Sequence, residues 1–105
     1  MTNQVELQGH LSRAPQEKVL PSGDVVWSFR VVVPREQGSR PGVDWVDCSV
    51  WTARLRRSVA TWAQGDVVEV KGALRRRFFR AGGNPVSRVE VEASSARVIR
   101  RAGPA

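Results

Sequence analysis

The sequence predicts a mainly β domain, a small five-stranded barrel with one helix between its third and fourth strands. Three observations carry that reading. Apolar residues alternate with polar ones at the two-residue period of half-buried strands, as in Val5, Leu7, Gly9 and Leu11 against Glu6, Gln8 and His10. Turn signals punctuate the chain at Pro21-Ser22-Gly23-Asp24, across residues 34–43 and across residues 80–85. One stretch alone, Ala53 to Ala63, has helical spacing, with Leu55, Val59 and Trp62 at i, i+4 and i+7.

The elements follow in order. The first strand starts at Val5, breaks at Pro15 and resumes at Val19-Leu20. Val25 to Val33 is a second strand, rich in β-branched residues. The loop over residues 34–43 holds two Pro and two Gly, and Asp44 to Thr52 is the third strand. The helix ends at Gln64-Gly65-Asp66, where Gly65 suits a C-terminal cap. Val67 to about Phe79 is a fourth strand with a bend or bulge at Gly72, and Val86 to Ala93 is a fifth. Arg97-Val98-Ile99 adds a short extension. Three strands, a helix and two strands is the chain order of the OB-fold, a Greek-key barrel, although small barrels of the SH3 kind share its composition. The domain spans residues 1–100, and 101–105 form a short tail.

Composition narrows the function. A chain of 105 residues fits one domain and excludes a two-lobed enzyme or a parallel α/β nucleotide-binding fold. No apolar run approaches the ~20 residues of a membrane span. Met1 to Glu6 shows neither a basic n-region nor an apolar h-region, so a cytoplasmic, nucleoid-associated protein is expected. One cysteine, Cys48, excludes a disulfide framework and a Cys-rich zinc site. Cys48 has core parity, His10 reads as a surface side chain, and no cofactor or metal is expected. The carboxylate pairs Asp44/Asp47 and Glu90/Glu92 suit solvated or Arg-bonded strand positions better than catalysis.

The charge of +7 is uneven. Residues 1–48 carry five basic and six acidic side chains; residues 49–105 carry twelve and four. The surplus gathers at Arg54-Arg56-Arg57, around Arg75 to Arg80 and at Arg97, Arg100 and Arg101. Such a face is the electrostatic footprint of a nucleic-acid binder. Fifteen Arg against two Lys also fits a GC-rich genome and a merely solvated surface.

Strand parity sorts the aromatics. In the third strand Val46, Cys48 and Val50 share one face, and Trp45, Asp47, Ser49 and Trp51 the other. Two indoles on a polar face suit unpaired bases, each stacking contact contributing about 1–3 kcal/mol, or else a subunit interface. Trp45 and Trp51 lie ~20 Å apart along an extended strand, so each would serve its own nucleotide. In the fourth strand Glu69, Lys71, Arg75, Arg77 and Phe79 share a face, joining phosphate-pairing cations to a ring. Arg88 points outward from the fifth strand with Glu90 and Glu92. Phe78 has the opposite parity and is expected to pack inward, as are Val89 and Val91. A one-residue slip near the hairpin would exchange Phe78 and Phe79. Trp27 belongs to core or interface, and Trp62 to the core.

These residues resemble the bacterial single-stranded DNA-binding (SSB) protein family over about Asn3 to Ile99. The opening strand Asn3 to Leu11, the turn Pro21-Ser22-Gly23, Trp45 after Asp44, Trp51 six positions on, the 15-residue segment Trp51 to Gly65 and Gly72-Ala73-Leu74-Arg75 carry the similarity. The resemblance implies an OB-fold that assembles as a homotetramer and wraps single-stranded DNA without sequence preference, in replication, recombination or repair. Trp45, Trp51 and Phe79 inherit base stacking; Lys71, Arg75, Arg77, Arg54 and Arg88 are the phosphate candidates. Gln37 or a neighbour stands where a further stacking Trp is expected, and the loop over residues 34–43 and the last hairpin are short. The chain ends Arg100-Arg101-Ala102-Gly103-Pro104-Ala105, without a long polar linker and acidic tip, so recruitment of enzymes through such a tip is not expected. Two other readings stay open: an accessory module working through protein contacts, and an RNA-binding OB domain.

Overall fold

The computed structural model of the chain describes residues 1–36 and 40–103. Gln37 lies outside the described residues. Among those described, six strands and one helix follow one another: β1 (Val5–Leu11), β2 (Gln16–Val19), β3 (Val25–Pro34), β4 (Val43–Val50), α1 (Ala53–Val59), β5 (Val67–Ala81) and β6 (Asn84–Arg100).

β1 and β2 are the two pieces of the expected first strand. Both run along β3, with Leu11 opposite Val31 and Gln16 opposite Ser28. Five steps on one strand thus face three on the other, and the surplus is taken up around Pro15, which has no N–H for the ladder. Hydrogen-bonded neighbours run β1-β5-β6-β4-β3, and β3 returns to β1 at His10–Val32, closing the barrel. The pairings are antiparallel except β4–β6, where Cys48 lies beside Val91 and Ser49 beside Glu92.

Alternation fills the interior. Phe29 and Val31 of β3, Cys48 and Val50 of β4, and Val68 and Val70 of β5 are buried in one cluster, with Trp27 half-buried against it. Burial pushes the Cys48 thiol up to about 12, with the nearby Asp47 and Glu90 charges adding to it.

Thr52 caps α1, its Oγ1 accepting from the Leu55 N–H at 3.4 Å. The helix stops at Val59, four residues before the expected end. A tight turn follows, in which the Trp62 N–H donates to the Val59 carbonyl, and the Asp66 carboxylate accepts from the Ala63 N–H at 2.9 Å. Trp62 still reaches the core, edge-on to Phe29 with ring centroids 5.0 Å apart. Asp66 is 1% exposed and also accepts from the Ala102 N–H at 2.8 Å and from Arg101 at 3.0 Å. Burial works to raise its pKa, but the two backbone N–H groups and the Arg101 guanidinium outweigh it and hold the carboxyl below its ordinary value.

β6 is one strand through the expected fifth strand and its extension. It stays paired with β5 by leaving Ser94 and Ile99 out of the register. At the first of these bulges β5 has Gly72, where a Cβ would collide with the Glu92 carbonyl, so the expected bend is a place of close backbone approach. Beyond Leu74 the two strands run on as a two-stranded ribbon, turned by Gly82 and Gly83 at φ 59° and 81° as a type I′ turn demands.

That ribbon corrects two expectations. Phe78 is 77% exposed rather than packed inward, and Val89 is exposed as well. Their parity is the inner one, shared with Leu74 and Val91, but only Val91 lies over the barrel. Further out, among the described residues, no second layer covers the inner face.

Candidate nucleic-acid interface

The ribbon and the outer face of β3–β4 enclose a groove of about 650 Å³. Ser28, Arg30, Asp47, Ser49 and Trp51 line one side, the ribbon residues Arg77, Phe78, Phe79, Arg88 and Glu90 the other, and Arg13, Glu17 and Lys18 of the β1–β2 edge the end. Five cations face three carboxylates in this lining. Rings and guanidinium groups therefore meet across a cleft that is open to solvent.

Of the sequence-predicted residues, the groove brings together Trp51, Phe79, Arg77 and Arg88. Trp51 is half-buried, its Nε1 donating to Ser49 Oγ at 3.2 Å, which fixes the indole over the buried Ser49. Phe79 is 39% exposed, with the Arg88 guanidinium 5.2 Å from its ring centre. Arg77 lies 5.3 Å from the Trp51 ring centre.

Trp45 stands outside the groove lining, 57% exposed, on a smaller hollow of about 240 Å³ with Leu7, Val33, Asp44 and Val46. Arg30 links the two places: it lines the groove and stacks 3.8 Å from the Trp45 ring centre. Asp44 makes an ion pair with Arg35 at 2.8 Å, whose hydrogen bonds hold the carboxyl below its ordinary range.

Arg75 sits on the flank of the groove, 3.4 Å from Glu92. Lys71 is exposed on β5 opposite Glu6 and Ser95, and Arg54 is exposed in the first turn of α1; neither lines the groove or the hollow. The basic surplus of the second half is therefore only partly in the cleft.

Groove residues that the sequence alone does not single out include Arg13, Glu17, Lys18, Ser28 and Arg30, whereas Asp47 falls on the polar face of its strand. Arg30 carried a signal. It is the charged member of a β3 face opposite in parity to Trp27, Phe29, Val31 and Val33. Its partner follows only from register, which sets Arg30 across from Asp47, Nε to Oδ1 3.0 Å and Nη2 to Oδ2 3.4 Å. That bond raises the Arg30 pKa above its ordinary value, against a smaller opposing effect of desolvation. On the ribbon, Arg77 stands directly across from Arg88, a like-charge pair. Arg77 leans away onto Glu90 at 3.3 Å and Glu92 at 2.8 Å, and Arg88 turns to Phe79.

The family model described as the single-strand binding protein family matches residues 2–99. The single-stranded DNA-binding protein of Oceanobacillus iheyensis is 31% identical, over 98% of this chain and 66% of its own length. That of Halalkalibacterium halodurans is 30% identical over 98% and 64%, and single-stranded DNA-binding protein A of Bacillus subtilis 27% over 94% and 60%. The chain thus spans between 60% and 66% of the length of these relatives. A Plasmodium falciparum SSB, solved in complex with ssDNA, has the same fold at a TM-score of 0.76 and 20% identity, covering 95% of each chain. The fold is an OB-fold, and the chain belongs to the single-strand binding protein family.

Proposed function

We propose that this chain binds single-stranded DNA without sequence preference and acts in replication, recombination or repair as a binding protein rather than an enzyme. The observation that carries this is the open groove in which Trp51, Phe78 and Phe79 face Arg13, Lys18, Arg77 and Arg88. Unpaired bases stack on such rings whatever their identity, and cations beside the rings neutralise the phosphates. Trp45 extends the track beyond Arg30, and Arg75, Lys71 and Arg54 take phosphates outside the cleft. Residues 1–100 are the binding domain, and the protein works in the cytoplasm at the nucleoid.

Among the described residues no helix is long and apolar enough to cross a membrane. Assembly into a homodimer or homotetramer belongs to the same proposal, supported by the exposed apolar residues Leu74, Phe78, Val89 and Ile99.

A fluorescence titration with oligo-dT of several lengths at two salt concentrations tests the reading. Saturable quenching that weakens steeply with salt is the expected result. An absence of quenching at low salt would overturn it. Competition by matched RNA oligomers decides between DNA and RNA, and light scattering on Trp45→Ala decides whether that ring serves assembly instead.

A further inference from the structure

The three stacking rings expected from the sequence each carry an arginine over one face: Arg30 over Trp45, Arg77 over Trp51 and Arg88 over Phe79. Two of these arginines are tied down. Asp47 holds Arg30 through both carboxylate oxygens, and the pair is only a quarter to a third exposed. Glu92 takes Arg77 on one oxygen and Arg75 on the other, while Glu90 takes Arg77 again. A guanidinium packed flat on an indole occupies the surface a base would use. A guanidinium bonded to a carboxylate must also break that pair before it can bond a phosphate.

We propose that Asp47 and Glu90, helped by Glu92 on the flank, are affinity-limiting positioning residues of the groove: they hold Arg30 and Arg77 as caps over Trp45 and Trp51, so a DNA strand enters only by exchanging these ion pairs. This rests on the reading above that the groove takes single-stranded DNA. It follows that the arginines of the cleft contribute less to affinity than their number suggests. Of the three arginines over rings, Arg88 alone has no carboxylate partner among the described residues, so it is the one most ready to move. Ion pairs still partly open to solvent are weak individually, so the restraint is graded rather than absolute.

The test is gain of affinity, which damage to the fold does not produce. Asp47→Asn and Glu90→Gln, both at groove-lining positions, keep shape and remove charge. Each is measured by anisotropy with a labelled dT oligomer, beside wild type and a control, Glu69→Gln. Glu69 is paired with Arg97 and Gln8 on the barrel wall and does not line the groove. The expected result is that each groove variant binds about two- to fivefold tighter while the control stays within twofold of wild type. Unchanged or weaker binding by both groove variants overturns the inference. So does an equal gain in Glu69→Gln, which would reduce the effect to overall charge. If wild type does not bind the oligomer, it is the functional reading that fails.

Discussion

The lower and upper parts of β5 and β6 are made by the same two strands and behave oppositely. Below Gly72 and Ala93, Val68 and Val70 are fully buried and β5 lies between β6 and β1. Above Leu74 and Val89 the ribbon has only itself, and Phe78, Phe79, Val89 and Leu74 are exposed. The alternation of side chains continues throughout; what changes is whether a second layer exists to receive them. An apolar residue in the lower part holds the barrel together. One in the upper part costs solvation to keep and is free to meet a ligand. Stability is thereby placed in one stretch of the hairpin, and the proposed binding in the other.

That separation can be broken experimentally. Trp62→Ala, beneath the lower part, should cost about 3–5 kcal/mol in denaturant unfolding, because the indole fills core against Phe29. A loss below about 1 kcal/mol would mean the barrel relaxes into the cavity. Asp66→Asn should cost about 1–3 kcal/mol at neutral pH, since an amide cannot accept from Ala63, Ala102 and Arg101 together. The native pKa is depressed, so this stabilisation is full above the unfolded carboxyl value of about 3.9 and disappears as pH falls through the lower native value. Unfolding curves of variant and wild type should then converge in acid; a gap independent of pH would contradict the assignment.

In the upper part the signs reverse. Phe79→Ala should weaken oligo-dT binding by about 1–3 kcal/mol and change stability by less than about 0.5 kcal/mol. A stability loss with intact binding would make Phe79 structural. The smallest effect belongs to Cys48. With its thiol pushed to about 12 and its side chain buried, it should resist a thiol reagent at neutral pH until the protein unfolds. Prompt labelling of the folded protein would show an opening of β4.

Much of the barrel was legible in the sequence because half-buried strands write their period directly, as β1, β3 and β4 do. The inward face of β4 and the core position of Trp62 follow from parity and helical spacing alone. Phe78 and Val89 were misplaced for a physical reason. Parity gives the face of a strand but not where the opposing layer stops. In place of the expected last helical turn, Thr61 and Trp62 bond three residues back, to Ser58 and Val59, and Asp66, held by Ala102 36 positions away, takes the Ala63 N–H. The Arg30–Asp47 pair is set by β3–β4 register across a loop, which composition does not fix. The sequence did place Trp51, Phe79, Arg77 and Arg88 on outward faces, and these four meet in the groove.

On the proposed function, the rings of the ribbon and Trp51, just beyond the end of β4, act together on one strand of nucleic acid. Anisotropy titration of a labelled dT oligomer with the double variant Trp51→Ala/Phe79→Ala tests it most directly. Affinity should fall at least about tenfold with the unfolding midpoint nearly unchanged. Wild-type affinity in a folded double variant would contradict it.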